Sequence, residues 1–276
     1  MGRATALGIV ILSISFNGMA LPLEPGLSIR AGGFWASVDS SFGARVPELD
    51  RRREIDFESD LGLEESKFSP MLELTYRFNP RHALSFNYIS LHRSAQSRES
   101  TKTFEIDWDD QTYLIEAGSK VGSTLDIDIY QLLYGYTLWR TERFWVSGTL
   151  GLHVMDIEAE LNGELKVVNE GELDFATEIG DTVTAPLPDV GLSAVWRLTP
   201  RWQVVLLGQY FQIKFDDYMG RMTDLRLQLT YYFTDSWAAS VAWEHYDLDF
   251  DHENQRRGID LNFTYTGPVL LLQYDF

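Results

Sequence analysis

The chain has 276 residues, no Cys, and 41 acidic against 23 basic side chains, for a net charge of −18. Absence of Cys removes disulfides, thiolate metal sites and thiol nucleophiles, and so acidic a chain is a poor ligand for phosphate backbones, which argues against nucleic acid as a partner. Mean hydropathy is −0.17. Past the N-terminus no apolar run approaches the ~20 residues of a membrane helix. A membrane β-barrel is not excluded, because its strands alternate and hide their apolar face from averages.

Arg3 is the only charge in residues 1–20, Ala4–Phe16 is largely apolar, and Gly18-Met19-Ala20 follows. That is the order of a cleaved secretory signal peptide. The alternative, a buried N-terminal helix, is opposed by Pro22 and Pro25, which stop helices. The expected division is therefore a signal peptide at 1–20 and one domain over 21–276.

A first strand is expected over Leu27–Asp39. Beyond it, a pattern recurs: Tyr76-Arg77-Phe78-Asn79-Pro80-Arg81-His82, then Leu138-Trp139-Arg140-Thr141-Glu142-Arg143-Phe144, then Trp196-Arg197-Leu198-Thr199-Pro200-Arg201-Trp202, then Tyr232-Phe233-Thr234-Asp235-Ser236-Trp237. Each reads as an aromatic strand end, a tight turn of Pro, Asn, Asp, Ser or Thr, and a new strand. The flanks alternate with period two. Leu72, Leu74, Tyr76 and Phe78 share one face against Glu73, Thr75 and Arg77; Leu225, Leu227, Leu229 and Tyr231 share another against Arg226, Gln228 and Thr230.

Opposite residues of an antiparallel hairpin share a face. Centring the turns on Pro80, Thr141, Pro200 and Asp235 pairs apolar with apolar in all four. Tyr76 meets Leu84, Tyr136 meets Val146, Trp196 meets Val204, and Leu229 meets Val241. A one-residue slip would set most apolar side chains against polar ones.

The connections at the other strand ends, roughly 40–65, 95–123 and 158–185, are long and acidic. Short turns at one end and long loops at the other describe a transmembrane barrel with periplasmic turns and extracellular loops. Tyr76, Phe78, Trp139, Trp145, Trp196, Trp202 and Trp237 crowd the turns, as a periplasmic aromatic girdle would. In the last strand, Leu261, Phe263 and Tyr265 have one parity and Leu270, Leu272, Tyr274 and Phe276 the other, with Gly267-Pro268 between, so a β-bulge is expected there. The count is ten strands in an all-β, closed, antiparallel up-and-down barrel. Eight is a neighbouring count. Twelve would follow if Thr101–Asp107 and Thr112–Gly118 formed an inserted hairpin.

With these features the chain resembles bacterial outer-membrane β-barrel proteins, and Leu272, Tyr274 and Phe276 are similar to that family's C-terminal assembly signal. The resemblance implies an outer-membrane location, lipid and lipopolysaccharide as surroundings, and the barrel-assembly machinery as a partner. A soluble sandwich or lipocalin-like barrel is the rival architecture, but one face here carries charges that an oily core could not solvate.

Glu73, Arg77, Arg197, Asp224, Arg226 and Glu244 are expected to point into the lumen, with Arg226 and Glu244 directly opposite because each lies nine residues from Asp235. They form a charge-paired filling or, alternatively, a selectivity ring of a narrow pore. The acidic loop residues, such as Glu48, Glu54, Asp56, Glu58 and Asp60, read as solvated strand extensions. Divalent cations bridging them to lipopolysaccharide are a further possibility. His92-Arg93-Ser94 is similar to the His-x-Ser of outer-membrane lipid A deacylases and phospholipases A. Asp109-Asp110 and Asp249-Phe250-Asp251-His252 offer the residue types of omptin proteases without their spacing. No catalytic site, metal site or cofactor is assigned. The function expected is a non-enzymatic barrel with a mostly filled lumen and an envelope-structural or surface-binding role. A narrow passive pore is the alternative, and a lipid-acting hydrolase the second alternative.

Overall fold

A computed structural model describes residues 25–46, 51–100, 103–108, 111–168, 173–215, 218–253 and 258–276. The expected signal peptide, residues 1–20, and the acidic positions Glu48 and Asp50 lie outside the described residues. The strands are β1 Gly26–Val46, β2 Arg51–Asp56, β3 Ser66–Asn79, β4 His82–Glu99, β5 Phe104–Trp108, β6 Gln111–Ile115, β7 Lys120–Arg140, β8 Phe144–Val168, β9 Leu173–Arg197, β10 Trp202–Phe215, β11 Tyr218–Tyr232, β12 Trp237–Glu253 and β13 Gly258–Asp275.

Ten strands make the ring. They run β1, β3, β4, β7 through β13, each antiparallel to the next, and β13 closes onto β1 from Ser28↔Asp275 to Ala44↔Ile259. β2 folds back on the upper part of β1. β5 and β6 form the hairpin on which the twelve-strand count depended, but it is not part of the ring and pairs with β8 at Tyr113↔Val167 and Leu114↔Lys166. No helix among the described residues is long and apolar enough to cross a membrane; the chain crosses with strands.

The four turns share one device. The side-chain oxygen of Asn79, Thr141, Thr199 or Thr234 accepts backbone N–H groups two and three residues on. This local bond is why Asn or Thr recurs there. The observed register has Tyr76↔Leu84, Trp196↔Val204 and Leu229↔Val241, as expected. The second hairpin differs: Tyr136 faces Gly148, and Val146 faces Trp139. The turn is centred beyond Thr141, with Arg140 opposite Trp145, and a bulge between Thr137 and Trp139 takes up one residue. The bulge leaves Leu138 out of the ladder, and Leu138 and Trp139 both turn outward, 60% and 57% exposed. A two-residue offset preserves facing, so the parity survives although the partners change.

The main organising feature is an inversion of polarity along the strands. Toward the turns, side chains outside the barrel are apolar (Leu72, Leu132, Leu150, Leu192, Leu206, Leu227, Val241 and Leu272 are all exposed). Such a belt requires lipid. Toward the long loops the sense reverses. On β7 the outward residues become Asp126 and Asp128, and the inward ones Leu125, Ile127 and Ile129, each at most 3% exposed. A membrane crossing takes about 9–11 residues per strand, whereas β7, β8 and β9 have 21, 25 and 25. The surplus stands in water and folds as a water-soluble barrel does, with its apolar face inside.

This inversion corrects the expected bulge in β13. The register with β12 runs unbroken through Trp243↔Pro268, Glu244↔Gly267 and His245↔Thr266. Phe263 and Tyr265 point inward above the belt, and Leu270 and Leu272 point outward within it. The parity of the apolar residues changes because the solvent changes, not because a residue is inserted. At Gly267 a Cβ would lie 2.0 Å from the Trp35 carbonyl oxygen, so glycine permits the close approach of β1.

The acidic first loop is also corrected in part. After β2 the chain turns into the barrel mouth, where Phe57, Glu58, Asp60, Leu61 and Leu63 are buried. Glu58 and Asp60 are therefore not solvated extensions.

Candidate functional site: a layered, closed lumen

The lumen fills in layers, beginning at the turn end. Short polar side chains of neighbouring strands pair first: Thr75 with Ser85 at 3.0 Å, Thr230 with Ser240 at 2.9 Å, and Gln228 with both of the latter. Next comes a charged crossbar. Arg226 on β11 donates from Nε to Glu244 Oε2 of β12 at 2.9 Å and spans the lumen to bond Glu73 on β3. Glu73 also accepts from Arg30 Nη1 at 3.1 Å, and Arg30 Nε donates to Gln273 at 2.8 Å. Glu73 and Glu244 are each at most 2% exposed. Buried charges persist where they are paired and hydrogen-bonded.

The next layer centres on His153. Asn87, Gln131 and His153 occupy facing positions on β4, β7 and β8. Gln131 Nε2 donates to His153 Nε2 at 2.6 Å and to Asp224 Oδ2 at 3.3 Å, and His153 Nδ1 donates to Asp189 Oδ2 at 2.8 Å. Thr149 bonds Gln209 at 3.1 Å beside them. Gly151 makes room: a Cβ there would lie 2.3 Å from both oxygens of the Asp189 carboxylate.

Above this the lumen becomes apolar. Tyr246 and Tyr265 stack with ring planes 4° apart, packed with Phe34, Phe263 and Met155, all at most 2% exposed. At the mouth, Arg93 of β4 meets the inward-folded loop. It bonds Glu58, and its Nη2 donates to Ser40 Oγ at 2.9 Å; Glu58 also accepts from the Ser40 N–H and hydroxyl.

The expected lumen residues thus divide. Glu73, Arg226 and Glu244 meet, and Asp224 belongs to the His153 layer. Arg77 and Arg197 line a cavity at the turn end, away from all four. Arg30, Asp189 and Arg93 are lumen residues that sequence reasoning missed, whereas His153 shares by alternation the polar face of Ser147 and Thr149 and only its partners were hidden. The inward loop that Arg93 meets leaves no local spacing signal.

Of the expected girdle, Tyr76, Phe78, Trp139, Trp196, Trp202 and Trp237 are exposed outward. Trp145 is not. It is 5% exposed, and its ring lies 5.7 Å below the Arg197 guanidinium inside the barrel. The parity that sends Phe144 and Val146 outward sends Trp145 inward with Ser147 and Thr149. Leu272 and Phe276 face outward, and Tyr274 packs between Trp237 and Phe276.

The possible chemical centres resolve as follows. His92 and Ser94 both face outward, but the hydroxyl near His92 is that of Ser90, 3.2 Å from Nε2; Asp128 Oδ2 lies 3.4 Å from the same nitrogen, and Asp128 Oδ1 accepts from Tyr88 at 2.9 Å. An acyl-transfer relay places carboxylate and hydroxyl on opposite ring nitrogens, so this arrangement is a surface hydrogen-bond cluster. Burial pushes the Asp128 carboxyl up, but bonds from Ser90, Tyr88 and His92 outweigh it and hold the group below the usual carboxylate range. Asp249 is engaged by Arg221 at the outer surface. Asp109 and Asp110, and the side chains of Asp251 and His252, lie outside the described residues. Among the described residues, one acidic grouping has metal-ligand spacing, Asp39, Asp56 and Glu58, and the Glu58 oxygens already serve Ser40 and Arg93.

No protein-family model and no curated protein matches the sequence. Among solved structures, the outer-membrane protease OmpT of Escherichia coli aligns with a TM-score of 0.56 and 12% identity, covering 90% of this chain and 97% of that one. The outer-membrane protein OprG of Pseudomonas aeruginosa aligns with a TM-score of 0.42 and 12% identity over 92% and 96%. The toluene transporter TodX of Pseudomonas putida aligns with a TM-score of 0.34 and 8% identity over 93% and 94%. At 12% identity the likeness to OmpT extends to the fold alone. The closed ring, the outward apolar belt and this likeness agree: the chain has the ten-stranded fold of bacterial outer-membrane β-barrel proteins.

Proposed function

We propose that this is a non-conducting, non-enzymatic outer-membrane barrel whose lumen is used to brace its wall and whose role is exercised at its outer surface. The observation that carries the reading is the succession of closed layers. The Arg226 crossbar, the His153 layer and the Tyr246–Tyr265 stack occupy successive depths, and their central side chains are almost wholly buried. A pore needs a continuous polar path, and the apolar layer interrupts it.

The short turns belong on the periplasmic side and the long loops outside, the asymmetry usual for such barrels. Residues 1–20 then serve export, and Leu272, Tyr274 and Phe276 serve recognition by the assembly machinery. The wall above the lipid belt carries Asp126, Asp128, Asp156, Glu158, Asp247 and Asp249 outward. Beside anionic lipopolysaccharide such a wall calls for bridging divalent cations.

Planar-bilayer recording of the purified, heat-modifiable protein tests the central point. No steady single-channel current is expected at any applied potential. Regular unitary openings would overturn the reading in favour of a narrow pore.

A further inference from the structure

The four turns differ from the rest of the chain in charge. Their sequences hold six arginines, Arg77, Arg81, Arg140, Arg143, Arg197 and Arg201, against Glu142 and Asp235, in a chain of 41 acidic and 23 basic side chains. The acidic excess therefore lies elsewhere. The backbone fixes where three of these arginines stand. In each turn, the residue before the new strand accepts at its carbonyl oxygen the N–H of the following strand of the ring. Arg81 accepts from Thr137 at 2.8 Å, Arg143 from Arg197 at 2.7 Å, Arg201 from Tyr232 at 2.9 Å, and Ser236 from Asp275 at 2.8 Å. Arginine thus holds one equivalent, locked position in three successive turns, and serine holds it in the fourth. The turns are two strands apart around the ring, which spaces these positions on the order of 10 Å.

Each of these positions is followed directly by a ring that opens the new strand: His82, Phe144, Trp202 and Trp237. The outward rings of Trp139, Trp196, Trp202 and Trp237 mark where hydrocarbon gives way to headgroups. The turn arginines stand one step beyond that belt, at headgroup depth. Arg81, Arg140 and Arg143 are exposed, and none has an ion pair among the described residues. Arg81 Nη1 donates to the Tyr136 hydroxyl at 3.0 Å, which holds the guanidinium against the belt. Arg140 and Arg143 flank the edge-to-face pair of Trp139 and Phe144, whose ring centroids lie 5.6 Å apart.

A cation at the edge of hydrocarbon attracts an anion more strongly than it would in bulk water. Guanidinium forks match phosphate oxygens in two-point contacts. A zwitterionic headgroup brings its own cation to such a site; an anionic one brings net charge. The fourth turn offers the opposite surroundings, with Asp235 in the turn and Asp275 on the following strand.

We propose that the first two turns form a binding surface for anionic phospholipid headgroups, with Arg81, Arg140 and Arg143 taking the headgroup phosphates beside the aromatic belt. In the orientation given above, these lipids are those of the periplasmic leaflet. The source of the lipid rests on that orientation; the preference for an anionic headgroup does not.

The test uses the full-length barrel in mixed vesicles of phosphatidylcholine and phosphatidylglycerol in equal proportion, with bromine near the glycerol of one lipid at a time. Two variants are compared, one keeping only Trp139 and one keeping only Trp237. Both leaflets have the same composition, so the readout belongs to the turn end whichever way the barrel inserts. Trp139 should be quenched more by brominated phosphatidylglycerol, with a relative association of at least about fivefold at low ionic strength, the factor that one arginine near an anionic surface supplies. The preference should fall away at 1 M salt, where the screening length is about 3 Å. Trp237 should show no preference. Arg81→Gln, Arg140→Gln and Arg143→Gln together should abolish the preference at Trp139, and Arg221→Gln, at the loop end, should leave it unchanged. The heat-modifiable gel shift verifies folding of each variant. Should the single-Trp proteins fail to fold, mass spectrometry of the lipid retained on extraction decides the matter: the parent protein should be enriched in phosphatidylglycerol and the triple Arg variant should not. No preference at Trp139 and no enrichment by the parent, an equal preference at Trp237, or a preference kept by the folded triple variant each overturns the proposal.

Discussion

Arg226 on β11 faces Glu244 on β12 across one strand pair, and the same guanidinium crosses the barrel to Glu73 on β3. One side chain therefore links two adjacent strands to a third on the opposite wall. Removing it leaves the Glu244 carboxylate buried without its cation and Glu73 with Arg30 alone. Arg226→Met should lower stability by about 3–5 kcal/mol, read as the urea midpoint of the heat-modifiable form in lipid vesicles. The double variant Arg226→Met, Glu244→Gln, which leaves the Arg30–Glu73 pair in place, should recover most of the loss, because breaking a buried pair costs more than replacing it. Equal loss in the single and double variants would show that the pairing is not what holds the crossbar.

How far the sequence disclosed this network depends on distance along the chain. Arg226 and Glu244 were legible because one tight turn sets both, and counting from Asp235 suffices. Their meeting with Glu73 was not, since curvature of the ring, not any hairpin, brings β3 across to β11. His153 and Asp189 lie on adjacent strands, but a register shift between Asn162 and Leu165, within the hairpin that joins them, removes any basis for counting. Arg93 finds Glu58 only because the first loop folds inward, which alternation cannot forecast. The phase change in β13 was visible in Phe263 and Leu270. Its cause required knowing where the lipid ends.

The inward position of Trp145 gives an optical prediction. Trp139, Trp196, Trp202 and Trp237 are exposed on the lipid side, and brominated lipids should quench them. In variants that keep a single Trp, Trp145 should escape lipid quenchers. Strong quenching of that variant by brominated acyl chains would place the ring on the lipid side and undo its inward assignment.

The Asp128 cluster carries a pH dependence whose sign is fixed. Hydrogen bonds from Ser90, Tyr88 and His92 to the carboxylate leave its folded pKa below the usual value. A depressed acid contributes stability that is present above the unfolded pKa and is lost as pH falls through the folded one. The contribution should therefore be constant from neutrality down to about pH 4–5 and vanish below about pH 4. Because the group is only partly buried, at the outer surface, the size should stay under about 1 kcal/mol. Carbonyl NMR of Asp128 should titrate below a model peptide, and Asp128→Asn should remove the acid limb from the difference curve. A midpoint above the peptide's would reverse the sign of the argument.

The polarity inversion makes β7 a ruler for the membrane boundary. Leu132 faces outward in the lipid belt, 45% exposed, and Thr124 faces outward above it. Ile127 faces inward above the belt at 2% exposure. The same substitution should therefore have three different costs on one strand. Leu132→Lys places a charge in hydrocarbon and should cost about 2–4 kcal/mol in bilayers. Thr124→Lys adds a charge to a solvated wall and should stay within about 0.5 kcal/mol. Ile127→Lys buries an unpaired cation in the apolar layer and should be the worst, at least about 4 kcal/mol. Lipid unfolding titrations measure all three. If Ile127→Lys were tolerated and Thr124→Lys were not, the wall above the belt would be lipid-covered and the inversion wrong. The predicted order instead follows from one cause, that the solvent outside the barrel changes from hydrocarbon to water between Leu132 and Asp128.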